Sequence, residues 1–281
     1  MSYAKNLKKR FQGITLNVED LFLLESFQIK YLIDRVPQME FTALLRANPT
    51  IHNYFVTMYP PIGCFISDLF KEYAVEESSK TIEDNCSDLL WEIADLIIYN
   101  KHPEVFDANV EIDWEMNKII QPKSLEGKVV VDAGAGTGRL AFLTAQFAET
   151  VFAVEPVQSF RQFMKEKAIK ENVNNIFVVD GFLDSIPFPD NSVDVLMTSN
   201  AIGWNIESEL KEIERVLKPN GEAIHLIQST DVDNENHLHN SLISSEWKYT
   251  CTKYQKTTGL KLKYTKTMEQ NGNEQINKRS Q

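Results

Sequence analysis

The chain has 281 residues, 43% of them hydrophobic, with a net charge of −11 and a pI near 5.0. That is enough apolar material for one large core or two modest ones, and the acidic balance argues against charge-driven binding to nucleic acid or anionic membrane. Cys64, Cys86 and Cys251 stand far apart without a CxxC pair, and no long apolar run occurs; a disulfide framework, a zinc site, a signal peptide and a membrane span are therefore not expected, and a reducing cytoplasm is.

The first part reads as helices. "NVEDLFLLESFQIKYLIDRV" has Asn17 as an N-cap, Glu19 and Asp20 in its first turn and a stop at Pro37, which predicts one amphipathic helix. "MEFTALLRAN", "PTIHNYFVTMY", "PIGCFISDLFKEYA" and "TIEDNCSDLLWEIADLIIYNK" follow as helices, divided by Pro49, Pro60 with Pro61, and Pro103. Residues 1–122 are thus expected to form an all-helical domain, either a cap over a neighbouring site or an interaction unit.

From Lys128 short β-branched runs alternate with helical ones, the pattern of βαβ units on a parallel sheet. The predicted strands are "KVVVDA", "TVFAVE", "NIFVVD", "VDVLMTS" and "EAIHLIQ", with helices near "RLAFLTAQFA", "SFRQFMKEKAIKEN" and "ESELKEIERVLK". The last helix is expected to run to Leu217 and stop at "KPNG". "WKYTCTKYQK" and "LKLKYTKTM" flank "TTG" as an antiparallel hairpin whose lysines, Lys248, Lys253, Lys256, Lys261, Lys263 and Lys266, are expected to face solvent. The expected second domain spans 123–268, and the polar residues 269–281 read as a flexible tail.

"VVVDAGAGTGRL" drops the side chain at every second position, Gly134, Gly136 and Gly138, directly after a strand ending in Asp132. Ligands of doubly wound sheets sit beyond the carboxyl ends of the strands, where glycines let a ribose approach the backbone. The spacing is G-x-G-x-G, not the G-x-G-x-x-G of dinucleotide binders. Asp132 would repel a pyrophosphate and attract the ammonium of a methionine moiety, which favours S-adenosylmethionine over NAD. Glu155 ends "VFAVE", placed to accept both ribose hydroxyls. Asp180 ends "FVVD", placed to accept from the adenine amine, with Phe182 close enough to wall the base. Taken singly, each acid reads equally as a helix cap and the glycines as a tight turn. Three acids on three successive strand ends, one of them before GxGxG, point instead to a cofactor.

These motifs resemble those of class I S-adenosylmethionine-dependent methyltransferases, a Rossmann-like family with a seven-stranded sheet, and within it the type 11-like small-molecule group that includes ubiquinone and menaquinone biosynthesis methyltransferases. The resemblance covers about 128–228, through "VVVDAGAGTGRL", "VFAVEPVQSFR", "DGFLDSIPFPDNSVDVLMTSNAIGW" and "EIERVLKPNGEAIHLI". It implies that Asp132, Gly134, Ala135, Gly136 and Gly138 line the methionine and ribose portions, that Glu155 with Pro156 holds the ribose, and that Asp180, Gly181 and Phe182 receive adenine. Asn200 joins this cofactor-binding set. Arg161 also fits the pattern but is expected on a solvated helix face.

The fourth strand leads into "SNAIGWN", without the histidine pair many relatives place there and without an Asn-Pro-Pro-Tyr type motif. Asn200, Trp204 and Asn205 are the catalytic candidates, and no general base is evident. His225, His237 and His239 with Asp231 and Asp233 read as a solvated loop, so no metal is expected. The function implied is methyl transfer to an O, N or C atom of a small molecule, with S-adenosylhomocysteine as the product cofactor and neither nucleic acid nor membrane as partner. A homodimer is compatible with the sequence but does not follow from it. A non-catalytic cofactor-binding module acting through a protein partner is the alternative, and an NAD-dependent oxidoreductase a distant third. Trp114 and Trp91 are the aromatics expected nearest an acceptor cavity.

Overall fold

A computed structural model describes residues 3–73, 82–109, 114–229, 236–256 and 259–270. The chain divides into two compact units, Met1–Glu111 and Ile112–Gln281.

The described residues of the first unit form helices α1 (Tyr3–Arg10), α2 (Ser26–Arg35), α3 (Gln38–Ala47), α4 (Pro49–Met58), α5 (Ile62–Glu72), α6 (Ile82–Glu92), α7 (Ala94–Lys101) and α8 (Pro103–Asn109). The single helix expected over 17–36 is in fact two elements, a 3-10 segment at Val18–Leu23 and then α2. Two N-terminal caps account for the break. The Asn17 amide donates to Asp20 Oδ2 at 2.8 Å and the Glu25 amide to Gln28 Oε1 at 2.9 Å, with Leu24 extended between them. Leu21 and Leu24 are fully buried, while Phe22 and Leu23 between them are exposed. The second long helical run likewise breaks at Ile93, between α6 and α7. Inside the unit the Arg35 guanidinium pairs with both Asp95 oxygens, at 2.7 and 3.1 Å, and the Tyr3 hydroxyl donates to Asp95 Oδ2 at 2.9 Å. Trp91 packs against the Leu7 and Phe11 cluster of the same unit.

The second unit is a seven-stranded sheet in the order β3-β2-β1-β4-β5-β7-β6, with β1 (Val129–Ala133), β2 (Thr150–Val154), β3 (Ile176–Val179), β4 (Val193–Ser199), β5 (Leu217–Ser229), β6 (Thr250–Lys256) and β7 (Gly259–Thr267). The first five strands pair in parallel, and β7 runs antiparallel to both β5 and β6. Its helices are α9 (Met116–Ile119), α10 (Arg139–Thr144), α11 (Gln158–Lys170), α12 (Ile206–Val216) and α13 (Asn236–Leu242). Strand alternation sends Val131, Ala133 and Leu196 into one core with Leu210 and Ile213 of α12, and Val130, Val195 and Met197 into another with Leu140 and Ala141 of α10. This is the Rossmann-like sheet expected from the sequence. Among the described residues no helix is long and apolar enough to cross a membrane.

Four details differ from expectation. Trp114, Met116, Ile119, Ile120 and Leu125 are buried in the second unit's core, so the division falls at Glu111/Ile112, ahead of residue 122. Helix α12 ends at Val216, and "KPNG" lies inside β5, where the register to β4 shifts between Val193 and Val195 and Asn220 takes φ 64°. Lys261 does not face solvent: it is 2% exposed, with Nζ 5.3 Å from the Trp114 ring, while Lys266 pairs with Glu214. The strand's second face is covered by the 114–125 segment, which the alternation alone does not reveal. His239 lies on α13, not in a loop, with Nδ1 2.8 Å from the Tyr264 hydroxyl, and His225 is fully buried in β5. Asp231, Asp233, part of the "TTG" turn and residues 271–281 of the expected tail lie outside the described residues.

Candidate cofactor site

Beyond β1 the backbone turns through left-handed values at Gly134 (φ 73°), Gly136 (φ 56°) and Gly138 (φ 82°) before entering α10. The amides of Gly134 and Ala135 both donate to the Val154 carbonyl, at 2.9 and 3.1 Å, which moors the loop to the end of β2. Gly134 is needed for space as well as for φ. A Cβ there would lie 2.4 Å from Ala201 Cβ and 3.2 Å from Leu183 Cδ1, so the segments after β1, β3 and β4 converge on it. At Gly138 a Cβ would lie 2.7 Å from Met164 Sδ, which sets how closely α11 packs.

Glu155 follows β2 and is 5% exposed. Its Oε2 accepts the Gly136 amide at 2.7 Å and its Oε1 the Val157 amide at 2.9 Å, so one carboxylate joins the glycine loop to the start of α11. The Glu155 amide in turn donates to Val179 O at 3.0 Å, at the end of β3. Asp132 is 2% exposed, and its Oδ2 accepts the Ala141 amide at 2.8 Å, which makes it a cap of α10. Burial pushes its pKa up to about 7; the Ala141 hydrogen bond works downward, and the charge of Glu155 adds to the rise.

Past β3, Asp180 is exposed, Phe182 is partly so and forms a bridge with Ser185, and Gly181 is packed so tightly that a Cβ would meet Pro187 Cδ at 2.8 Å and Val154 Cγ1 at 2.9 Å. Arg161 corrects the sequence reading. Its side chain is only 15% exposed, and Nη1 donates to Glu155 O at 2.9 Å, to Pro156 O at 2.5 Å and to Asp180 Oδ1 at 3.0 Å.

After β4, Asn200 adopts φ 52°, and its Oδ1 accepts the Gln228 amide at 2.7 Å while its own amide donates to Leu226 O at 2.9 Å. Its side chain therefore ties β4 to β5. Trp204 is 67% exposed and Asn205 leads into α12. Sequence reasoning missed Glu209. It is 3% exposed and accepts the amides of Gly203, Trp204 and Asn205 at 2.7, 3.1 and 3.0 Å, so it shapes the whole loop beyond β4. An acid in the first turn after a Gly-Trp-Asn loop was the available signal. His225 Nδ1 lies 2.9 Å from Thr198 Oγ1, and burial lowers its pKa to about 3, so it stays neutral within the core. Among the described residues no group of His, Cys, Asp and Glu could hold a metal ion.

A family model described as a methyltransferase domain matches residues 131–225, from β1 into β5. A tRNA U34 carboxymethyltransferase of Ruthia magnifica subsp. Calyptogena magnifica is 30% identical over 139 residues, 46% of this chain and 43% of that protein. The ubiquinone/menaquinone biosynthesis C-methyltransferase UbiE of Shewanella frigidimarina (strain NCIMB 400) is 28% identical over 166 residues, 54% of this chain and 64% of that protein. The chain thus spans less than two thirds of the length of either relative. The crystal structure of a SAM dependent methyltransferase from Aquifex aeolicus superposes with a TM-score of 0.50 at 16% identity, covering 59% of this chain and 98% of that one, a likeness of fold. Together with the strand order and the glycine loop, these matches liken residues 131–225 to the methyltransferase domain of class I S-adenosylmethionine-dependent enzymes.

Proposed function

We propose that the protein binds S-adenosylmethionine beyond β1, β2 and β3 and transfers its methyl group to a small-molecule acceptor held against the loop at 200–205. The observation that carries this reading is the convergence on Gly134 of the loop after β1 with Leu183 and Ala201, beside a buried Glu155. The residues fit the cofactor. The glycine loop offers backbone without side chains, and a carboxylate has about four acceptor positions, so Glu155 is suited to receive ribose hydroxyls while it holds two amides. Asp132 lies at the methionine end, Ala135 and Pro156 beside the ribose, and Asp180, Gly181 and Phe182 at the adenine end.

When bound, the cofactor supplies an electrophilic methyl group on a sulfonium. The chain's part is to hold the acceptor in line with it, and such positioning alone is worth several orders of magnitude in rate. Glu209 fixes the loop that presents Trp204 and Asn205, and the indole is suited to packing on a planar or cationic partner. Asn200 acts through its tie to β5, which orients the loop. The relatives' names span a tRNA and a quinone pathway, so the acceptor class rests on the site and on the acidic balance of the chain.

Calorimetry with S-adenosylmethionine, S-adenosylhomocysteine and NAD tests the cofactor, with binding expected for the first two only. Release of S-adenosylhomocysteine on adding a small-molecule metabolite fraction, but not an RNA fraction, tests the acceptor. Equal heats with NAD would overturn the proposal. Cofactor binding with no turnover on any fraction would leave a non-catalytic module.

A further inference from the structure

We propose that Arg161 is a positioning residue for base recognition: its guanidinium, pinned to the end of β2, holds the Asp180 carboxylate as an oriented acceptor for an exocyclic amine. The inference rests on the cofactor reading above and names a residue that reading does not use.

Asp180 is an exposed side chain, its own 67% accessible, and an isolated exposed aspartate would sample several rotamers. Arg161 is the opposite case. It is 15% exposed, and the two main-chain carbonyls of Glu155 and Pro156 fix one nitrogen before Asp180 is considered. The contact to Asp180 at 3.0 Å therefore comes from a cation whose place is set by the backbone beside the ribose-binding carboxylate. Arg161 engages only Oδ1, which leaves the other carboxylate oxygen to accept from a ligand. A carboxylate accepts and does not donate. It therefore favours the amino group at position 6 of adenine over the carbonyl that hypoxanthine carries there. Through Arg161 the spacing between ribose and base recognition is set by one side chain bonded to both.

The test uses the full chain and calorimetry with two probes, S-adenosylhomocysteine and S-inosylhomocysteine. The wild type should prefer the adenosyl compound by about tenfold or more, the scale of one charged hydrogen bond. R161Q should lose most of that preference, R161K should recover part of it, and D180N should lose it by itself, with R161Q/D180N losing no more than D180N. Melting curves separate misfolding from mispositioning; should R161Q unfold, R161K and D180N carry the comparison. A preference unchanged in R161Q or R161K, or losses that add in the double variant, would overturn the role given to Arg161. If the wild type binds neither probe, the cofactor reading itself fails, a result distinct from binding without discrimination by Arg161.

Discussion

A β-carbon on Gly134 would sit 2.4 Å from the β-carbon of Ala201, so two loops meet where one has no side chain and the other has the smallest. Gly134→Ala adds that overlap to a left-handed φ of 73°, and the backbone alone costs about 1–2 kcal/mol. The variant should melt lower and bind S-adenosylhomocysteine much more weakly. Adding Ala201→Gly should restore part of both, leaving the backbone cost and the 3.2 Å approach to Leu183 Cδ1. A double variant no better than the single would show that the two loops do not meet as described.

Glu155→Gln tests the carboxylate that joins the glycine loop to α11. Glutamine has one acceptor oxygen and one NH2 group, so of the Gly136 and Val157 amides it can satisfy one, while the other faces a donor. Stability should fall by about 1–3 kcal/mol for the unsatisfied amide, and cofactor affinity by about 1.5–3 kcal/mol for the charged hydrogen bond to ribose. Denaturant melts and calorimetry read the two separately. Lost stability with unchanged affinity would assign Glu155 to loop structure alone.

Asp132 gives a pH dependence with a definite sign. Its pKa rises from 3.8 to about 7 on folding, so between those values the native state holds a proton that the unfolded chain releases. Stability from this group is therefore present at acid pH and falls as pH climbs through that window, by about 1.4 kcal/mol per unit. Binding runs the other way. Only the ionised carboxylate attracts the methionine ammonium, so affinity for S-adenosylhomocysteine should rise toward pH 7 and then level. Asp132→Asn should flatten both profiles, and an unaltered binding profile in that variant would remove Asp132 from the ligand site.

The parallel strands, the glycine loop and the acids at the strand ends were legible in the sequence because each is a local pattern: a β-branched run, a glycine spacing, a terminal carboxylate. What escaped depended on how loops and covering segments fold back on a residue, whether they are near to it in the chain or far. Arg161 looks like a solvated helical residue until the carbonyls of Glu155 and Pro156 are seen beneath it. Lys261 alternates as an outward strand residue, but the 114–125 segment covers that face, and the lysine packs over Trp114. Asn200 and Glu209 are spent on backbone amides around the loop after β4, a geometry set by the pairing of β4 with β5 and by the first turn of α12.

The placement of Trp114 decides where the second unit can be cut. Trp114, Met116, Ile119 and Ile120 are each 8% exposed or less and pack in one core with Val130, Leu140 and Met197. Burying such a side chain is worth about 1.5–3 kcal/mol, so losing four removes an amount comparable to the about 5–15 kcal/mol that holds a whole domain together. A chain beginning at Ile112 should melt cooperatively and bind S-adenosylhomocysteine, whereas one beginning at Gln121 should do neither. Equal melting of the two would show that the segment is dispensable to the core. The Ile112 form also asks what residues 1–111 contribute. If they carry acceptor specificity, it should bind cofactor yet release no S-adenosylhomocysteine with the acceptor that the full chain methylates, and normal turnover would assign the helices to another task.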